Sequence, residues 1–211
     1  MKISAIILLF ITACSFNDNE KNCRALSVYV SQADTFEVET DREYSVGDDD
    51  LFMANEMKIY QLDKGNLNDV SSKLNDYDLS TSMDYKFDIN SYDTFMSIFS
   101  FPGLNEGINT NTLGVIDGIT VFNGNRKNLS QWEKSGKIDQ VQIFYNNKLQ
   151  GCARLKSTFK YQKILLEREI PLLRGKSDTL SLVIKSIYPL MGIKHNQFTI
   201  SELKIEGRRL Y

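Results

Sequence analysis

The chain has 211 residues, of which 42% are hydrophobic and 11% aromatic, so it can build a hydrophobic core in one large or two small domains. Its 25 basic and 27 acidic residues give a formal net charge of −2. This balance lacks the basic surface that nucleic-acid binding requires, and no nucleic-acid partner is expected.

The N-terminus has the pattern of an export signal that ends in a lipidated cysteine. Lys2 precedes an apolar run over residues 3–13, which is shorter than the ~20 apolar residues that a membrane-spanning helix needs. Cys14 follows directly, and the segment resembles a bacterial lipoprotein signal, in which residues 1–13 are removed and Cys14 is acylated. An ordinary cleaved signal peptide is the alternative. We therefore expect a cell-envelope protein that a lipid anchor holds on a membrane outside the cytoplasm, with the outer membrane and the cell surface both open.

The segment after the predicted anchor contains a tether and a cysteine. Residues 14–22 are too polar to bury themselves and are predicted to be a flexible tether. Cys23 and Cys152 remain in the mature chain, and pairs of cysteines form disulfides in an oxidising compartment. The sequence is therefore compatible with a Cys23–Cys152 disulfide, which would hold the end of the tether on the domain, or with two free buried thiols.

Short stretches with period-two alternation predict β-strands along the rest of the chain. Apolar and polar residues alternate over 84–89, 140–145 and 180–185, which is typical of half-buried strands. Residues 95–101 are apolar on both faces and are predicted to form a central strand. Only residues 49–62 are also compatible with a short helix, because their period is ambiguous.

The last predicted strand changes phase along its length. Phe198 and Ile200 lie on even positions, whereas Leu203 and Ile205 lie on odd ones. One extra residue at 201–202 would explain the change, which is what a β-bulge does. Bulges re-aim side chains beside functional sites, and they also occur at sheet edges that have no function.

The strand pattern predicts an all-β protein with one domain. Many short strands without a βαβ rhythm favour an antiparallel sandwich or barrel. Residues 23–65 are interpreted as an N-terminal elaboration of the domain formed by residues 66–211, because no linker separates the two stretches.

Three segments, in this order, resemble one family of binding domains. Residues 74–83 read LNDYDLSTSM, residues 119–137 read ITVFNGNRKNLSQWEKSGK, and residues 187–205 read IYPLMGIKHNQFTISELKI. Together they resemble the NADase-type glycan-binding domain, a discoidin-like (coagulation-factor type C) domain also called the NAD glycohydrolase translocation domain. The resemblance implies a galactose-binding-like, discoidin-type jelly-roll β-sandwich. Nothing in the chain resembles the catalytic, NAD-hydrolysing part, and no enzymatic activity is expected.

The resembling loops contain the residue types that sugar recognition needs. An aromatic face suits the apolar side of a pyranose, and amides, carboxylates and cations suit its hydroxyls. Because loops of a jelly roll gather at the ends of the sandwich, we expect these side chains to lie near one another. The predicted ligand-binding residues are Asn123, Arg126, Lys127, Trp132, Tyr188, Lys194, His195 and Glu202. In the alternative interpretation, Asn123 and Tyr188 only shape turns and Trp132 packs on the sheet.

Metal and catalytic chemistry have weaker support in the sequence. His195 is the only histidine, so a nucleophilic triad or a zinc site would depend on it, and a solvated loop residue is the better interpretation. The spacing of Asp76, Asp78 and Asp84 suits oxygen ligands of a structural calcium ion, the one cofactor considered. The alternative for these aspartates is a turn in which they bond to their own backbone.

The sequence thus predicts a membrane-anchored, exported lipoprotein that acts as a non-catalytic carbohydrate-binding or adhesion module. The alternative is a structural lipoprotein that binds an envelope protein partner. A glycoside hydrolase that uses a carboxylate pair is the third and least favoured hypothesis.

Overall fold

The computed structural model describes residues 23–31, 57–63, 66–74, 82–86, 94–100, 112–173, 177–188 and 197–209. The strands in these ranges are β1 (Val28–Val30), β2 (Met57–Asp63), β3 (Asn66–Asp69), β4 (Met83–Lys86), β5 (Thr94–Ser100), β6 (Thr112–Asn123), β7 (Ile138–Tyr145), β8 (Lys148–Arg154), β9 (Tyr161–Leu173), β10 (Ser177–Ile187) and β11 (Gln197–Arg209). The helices are α1 (Ser71–Leu74) and α2 (Leu129–Lys134). Neither of these two helices is long and apolar enough to cross a membrane.

The strands form two antiparallel sheets. One sheet has the order β1-β9-β6-β11-β4, and the other has the order β3-β2-β5-β10-β7-β8. The all-β, antiparallel prediction is therefore confirmed. β1 and β2, which come from residues 23–65, are strands of the same two sheets as the rest of the chain.

Both sheets contribute one face to a shared hydrophobic core. Ile119 and Val121 enter it from β6, and Val141 and Ile143 enter it from β7. All four side chains are buried, and each buried aliphatic side chain of this size stabilises the fold by about 1.5–3 kcal/mol. Two sheets that bury their inner faces against each other in this way form a sandwich.

The structure confirms one strand prediction and decides one ambiguous stretch. β5 lies between β2 and β10, so residues 95–100 of the apolar stretch do form a central strand. Of residues 49–62, which were also compatible with a short helix, residues 57–62 belong to β2, and residues 49–56 lie outside the described ranges. Pairing with strands on both sides, and burial of Ile59, outweigh the ambiguous local period.

The β-bulge that the phase change predicts is present in β11. Ile200 pairs with Asn123 and Glu202 pairs with Phe122, so Ser201 is the extra residue of the longer strand. The insertion allows both Ile200 and Leu203 to reach the core although they have opposite parity in the sequence.

The N-terminal strap, defined as residues 23–31, joins the edges of the two sheets. The Cys23–Cys152 disulfide is formed, with the two Cα atoms 5.8 Å apart, which confirms this alternative over free thiols. The amide of Leu26 donates to the carbonyl of Cys152 at 2.7 Å in the edge strand β8. The strap then continues as β1 and pairs with β9 of the other sheet.

The strap lies so close to β8 that Gly151 has no room for a side chain. A Cβ at this position would lie 2.6 Å from Cγ of Leu26 and 2.8 Å from the carbonyl oxygen of Arg24. Glycine therefore permits the close approach that the disulfide and the hydrogen bonds of the strap require.

We expect the double variant Cys23→Ser, Cys152→Ser to lower the free energy of unfolding by about 2–5 kcal/mol. The bridge closes a loop with a sequence separation of 129, and without it the unfolded chain gains conformational entropy. Urea denaturation of both proteins without reductant measures the difference. A reducing agent should shift the wild-type midpoint and leave the variant unchanged; equal midpoints for the two oxidised samples would contradict the prediction.

Candidate functional site

The β6–β7 loop, defined as residues 124–137, contains three of the six predicted ligand-binding residues that the structure describes. Helix α2 lies within it, and its N-cap is Asn128, whose side-chain oxygen accepts a hydrogen bond from the amide of Gln131 at 2.9 Å. At the other end, the hydroxyl of Ser135 donates to the carbonyl of Trp132 at 2.8 Å. The family resemblance predicts only a loop here, and the N-cap signal of Asn128 before LSQWEK is the local pattern that indicates the helix.

Asn123 joins the two ends of the loop. Its side-chain amide donates to the carbonyl of Ile138 at 2.7 Å, and its side-chain oxygen accepts from the amide of Ile138 at 2.8 Å. The residue is fully buried. Its role in the structure is to hold the end of β6 beside the start of β7, as in the turn-shaping interpretation, and a contact with ligand stays a prediction.

The bulge residue Ser201 holds the start of the loop. Its hydroxyl accepts from the amide of Arg126 at 2.9 Å and donates to the carbonyl of Gly124 at 2.9 Å. Thr199 of β11 bonds to both loop ends, because its carbonyl accepts from Gly124 and its amide donates to Gly136. Ser201 was not predicted as a site residue, although the phase change of β11 marked its position.

Trp132 is half-buried and packed in a fixed orientation. Its indole N–H donates to the carbonyl of Asn123 at 2.9 Å, and its ring meets the ring of Phe159 edge-to-face at a centroid distance of 5.9 Å. The ammonium of Lys137 lies 4.1 Å from the ring centroid, within the range of a cation–π contact. The part of the ring that remains accessible is therefore presented by a rigid support.

Arg126 is buried against aromatic rings behind the loop. Its guanidinium contacts the hydroxyl of Tyr161 and lies 4.6 Å from the centroid of that ring and 5.4 Å from the centroid of Phe122. Only 7% of the residue is exposed, so the rings and the hydroxyl replace water around the charge. In this structure Arg126 supports the loop from within the fold.

Glu202 lies in the same layer as this arginine. On the outer face of the five-stranded sheet, Tyr161, Phe122 and Glu202 occupy one row across β9, β6 and β11. We call Arg126, Tyr161 and Glu202 the buried polar cluster. Burial raises the pKa of Tyr161, the carboxylate of Glu202 raises it further, and the guanidinium of Arg126 opposes the rise. Tyr161 was not predicted from the sequence, because nothing in its local pattern distinguishes it from other strand tyrosines.

Lys127 and Lys137, two of the three lysines of the loop, have different environments. Lys127 is exposed, and its backbone is fixed by a hydrogen bond from its amide to the side-chain oxygen of Asn125 at 3.0 Å. Lys137 is buried, its ammonium donates to the carbonyl of Ser135 at 2.8 Å, and burial lowers its pKa against the opposing effect of Glu133. Lys127 is thus, like the exposed Lys134, a loop cation that a ligand can reach.

Tyr188 lies at the end of the loop, next to Lys137. Its amide donates to the carbonyl of Lys137 at 2.8 Å, and its hydroxyl donates to the carbonyl of Leu155 at 2.6 Å. Burial raises the pKa of this half-buried tyrosine, and the carboxylate of Asp139 adds to the effect. Tyr188 therefore joins the loop to the segment after β8.

The calcium prediction is only partly within the described residues. The side chain of Asp84 accepts a hydrogen bond from the hydroxyl of Thr199 at 2.5 Å. Among the residues that the structure describes, no three His, Cys, Asp or Glu side chains are grouped to hold a metal. Five predicted residues lie outside those that the structure describes, namely Cys14, Asp76, Asp78, Lys194 and His195. The calcium site, and the part of the sugar site that Lys194 and His195 would form, therefore stay predictions.

The arrangement is suited to recognition through non-covalent contacts. Lys127 and Gln131 are exposed, and they lie on the same loop as the half-buried Trp132. Beneath them, hydrogen bonds from Asn123 and Ser201 fix the backbone. Comparison with known proteins adds no relative, since no family model matches the chain and no curated protein is significantly similar to it.

We expect Gly124→Ala to disturb the loop. Gly124 has φ of +113°, which disfavours other residues, and a Cβ would lie 2.5 Å from Cδ1 of Trp132. The variant should lose about 1–3 kcal/mol of unfolding free energy. Because Trp132 is the only tryptophan, its fluorescence should shift to longer wavelength.

The matched control for Gly124→Ala is Gln131→Ala, an exposed position in α2 of the same loop. This control should keep the wild-type fluorescence maximum and urea midpoint. Unchanged fluorescence in Gly124→Ala would show that Trp132 does not depend on the glycine.

We expect the stability of the protein to fall at alkaline pH, partly through Tyr161. Its folded-state pKa is raised above the unfolded value near 10, so the unfolded chain loses this proton first and the free energy of unfolding falls as pH rises above about 10. Urea denaturation between about pH 9 and pH 11 should show a shallower fall for Tyr161→Phe than for wild type. Tyr188 and Lys137 titrate in both proteins, so their effects on stability cancel when the two proteins are compared. If the free energy of unfolding fell in parallel with pH in both, Tyr161 would not contribute to the loss of stability.

Proposed function

We propose that the protein is an exported lipoprotein, anchored at Cys14, whose discoidin-like jelly-roll sandwich is a non-catalytic carbohydrate-binding module. The all-β sandwich agrees with the fold that the family resemblance implies. The Cys23–Cys152 disulfide supports an oxidising, extracytoplasmic location, because such bonds persist mainly there.

The observation that carries the proposal is the preorganisation of the β6–β7 loop. Three separate anchors hold it: Asn123 on Ile138, Ser201 on the loop backbone, and the indole of Trp132 on the carbonyl of Asn123. A loop that is fixed before a ligand arrives has less conformational entropy to lose when it binds. Such rigidity suits a shallow sugar site, in which each contact is weak.

The loop surface offers the contacts that a sugar requires. The accessible part of the Trp132 ring would pack on the apolar side of a pyranose, and Lys127 and Gln131 would bond to its hydroxyls. Arg126 and Glu202 would act from below, by fixing the rings and strands on which the loop lies.

A glycan array with the full chain, purified in detergent, tests the proposal in calcium and in chelator. We expect a specific glycan signal that Lys127→Ala weakens by about tenfold, since the exposed cation loses a charge-assisted hydrogen bond. Lys73→Ala is the matched control, because this exposed lysine lies in α1, outside the β6–β7 loop.

The structural contribution of Trp132 is separated by two variants. Trp132→Phe keeps an aromatic ring, whereas Trp132→Ala removes it, and urea denaturation of both reports whether the domain still folds. Loss of binding in a folded Trp132→Ala protein supports the sugar site. A blank array with a folded wild-type protein would contradict the proposal and favour an envelope protein partner.

A further inference from the structure

A groove lies at the end of the sandwich opposite to the β6–β7 loop. It has a volume of about 460 Å³ and lies between the turn that joins β7 to β8 and the last part of β9. Tyr145, Asn147, Lys148, Gln150, Arg168 and Pro171 line it. This volume is within the range of about 300–1,000 Å³ that is typical of small-molecule sites. We call it the β7–β9 groove.

The β7–β9 groove is separate from the β6–β7 loop. Strand β7 begins at Ile138, which Asn123 holds, and ends at Tyr145, which lines the groove. An antiparallel strand rises about 3.4 Å per residue, so the two places are about 24 Å apart along β7. Strand β9 likewise runs from Tyr161 of the buried polar cluster to Pro171 of the groove.

The turn beside the groove is rigid. Asn146 and Asn147 have φ of 46° and 63°, which are the values of a tight two-residue hairpin turn. The side-chain oxygen of Asn146 accepts from the amide of Thr179 at 2.9 Å, and its amide group donates to the carboxylate of Asp178 at 2.8 Å. The backbone of Asn146 also donates to the carbonyl of Thr179 at 2.8 Å. Asn147 and Lys148 are therefore presented in a fixed position.

The lining combines an aromatic ring, amides and cations. Tyr145 is half-buried, and its pKa is raised to about 12 by burial and by Asp178, so its hydroxyl keeps its proton at neutral pH. Asn147 and Gln150 supply amides, and the cations of Lys148 and Arg168 are both exposed. Among the described lining residues the two cations outnumber the one acid, Glu169, while the carboxylate of buried Asp178 is bonded to Asn146 of the turn.

We propose that the β7–β9 groove binds an acidic sugar, meaning a saccharide unit that carries a carboxylate. The carboxylate would be held by Arg168 and Lys148, as charge-assisted hydrogen bonds favour. The ring of Tyr145 and the pyrrolidine of Pro171 would contact the apolar side of the sugar, and the two amides would bond to its hydroxyls. An acidic peptide would need only the cations, whereas a sugar also uses the apolar surfaces of Tyr145 and Pro171. The combination therefore favours a saccharide over an acidic peptide. The inference does not require the β6–β7 loop to bind sugar.

Isothermal titration calorimetry of the full chain in detergent tests the groove, with tetragalacturonate as the probe and neutral galactotetraose as the matched ligand. We expect tetragalacturonate to bind at low salt, to bind more weakly at high salt, and to bind at least about tenfold more tightly than galactotetraose. Arg168→Ala and Lys148→Ala should each weaken binding by about tenfold, and Lys73→Ala, at an exposed lysine of α1 outside both sites, should leave it unchanged.

Four results would overturn the inference. The first is that the wild-type protein, shown to be folded by urea denaturation, gives no heat with tetragalacturonate. The second and third are that galactotetraose or tetraglutamate binds as tightly as tetragalacturonate. The fourth is that neither Arg168→Ala nor Lys148→Ala weakens the binding of tetragalacturonate. Loss of binding in Lys127→Ala alone would assign the acidic sugar to the β6–β7 loop, which rejects the groove and supports the function proposed above. The two proposals can therefore fail separately.

Discussion

The position of Ser201 in β11 determines how the candidate site is held. Because this strand has one residue more than its partner β6, the hydroxyl of Ser201 is directed to the loop backbone while Ile200 and Leu203 both stay in the core. Without the extra residue, either the core contacts or the contacts to Gly124 and Arg126 would be lost. The bulge thus links the register of a central strand to the shape of a surface loop.

The layer beneath the loop contains charges that are costly to bury. Arg126, Lys137 and Glu202 are each at most 7% exposed, and removing an ion from water costs several kcal/mol unless other groups compensate. Ring faces compensate for the two cations, together with the hydroxyl of Tyr161 and the carbonyl of Ser135. Such a layer adds little net stability, but it favours one arrangement of the loop over alternatives, because any shift would separate a buried charge from its partners.

The sequence predicted those parts of the fold that local periodicity encodes. Alternation identified β7 and β10, the phase change identified the bulge at Ser201, and the count of cysteines raised the Cys23–Cys152 bridge as one of two alternatives. Features that depend on tertiary contacts could not be predicted from the local sequence pattern. Residues 57–62 have an ambiguous period and became a strand because β5 lies beside them.

The candidate site was less predictable than the fold for the same reason. Tyr161 is 35 residues from Arg126, and only the pairing of β9 with β6 brings the two side chains together. The predicted residues of the β6–β7 loop were found through a motif, but the motif does not distinguish exposed Lys127 from buried Asn123. Burial depends on the register of distant strands, which a local pattern does not contain.

The N-terminal strap also determines where mechanical tension would enter the protein. With the anchor that we propose at Cys14, the chain up to Cys23 spans at most about 30 Å, and a pull on a ligand held at the β6–β7 loop would extend this tether fully. The tension would then pass through the Cys23–Cys152 bond into β8, and from β8 through its hydrogen bonds to β7, which begins at the loop. β1 has only three residues paired with β9, and it lies outside this path. The covalent bond therefore protects β1, the shortest of the described strands, from being peeled away when the bound protein is under load.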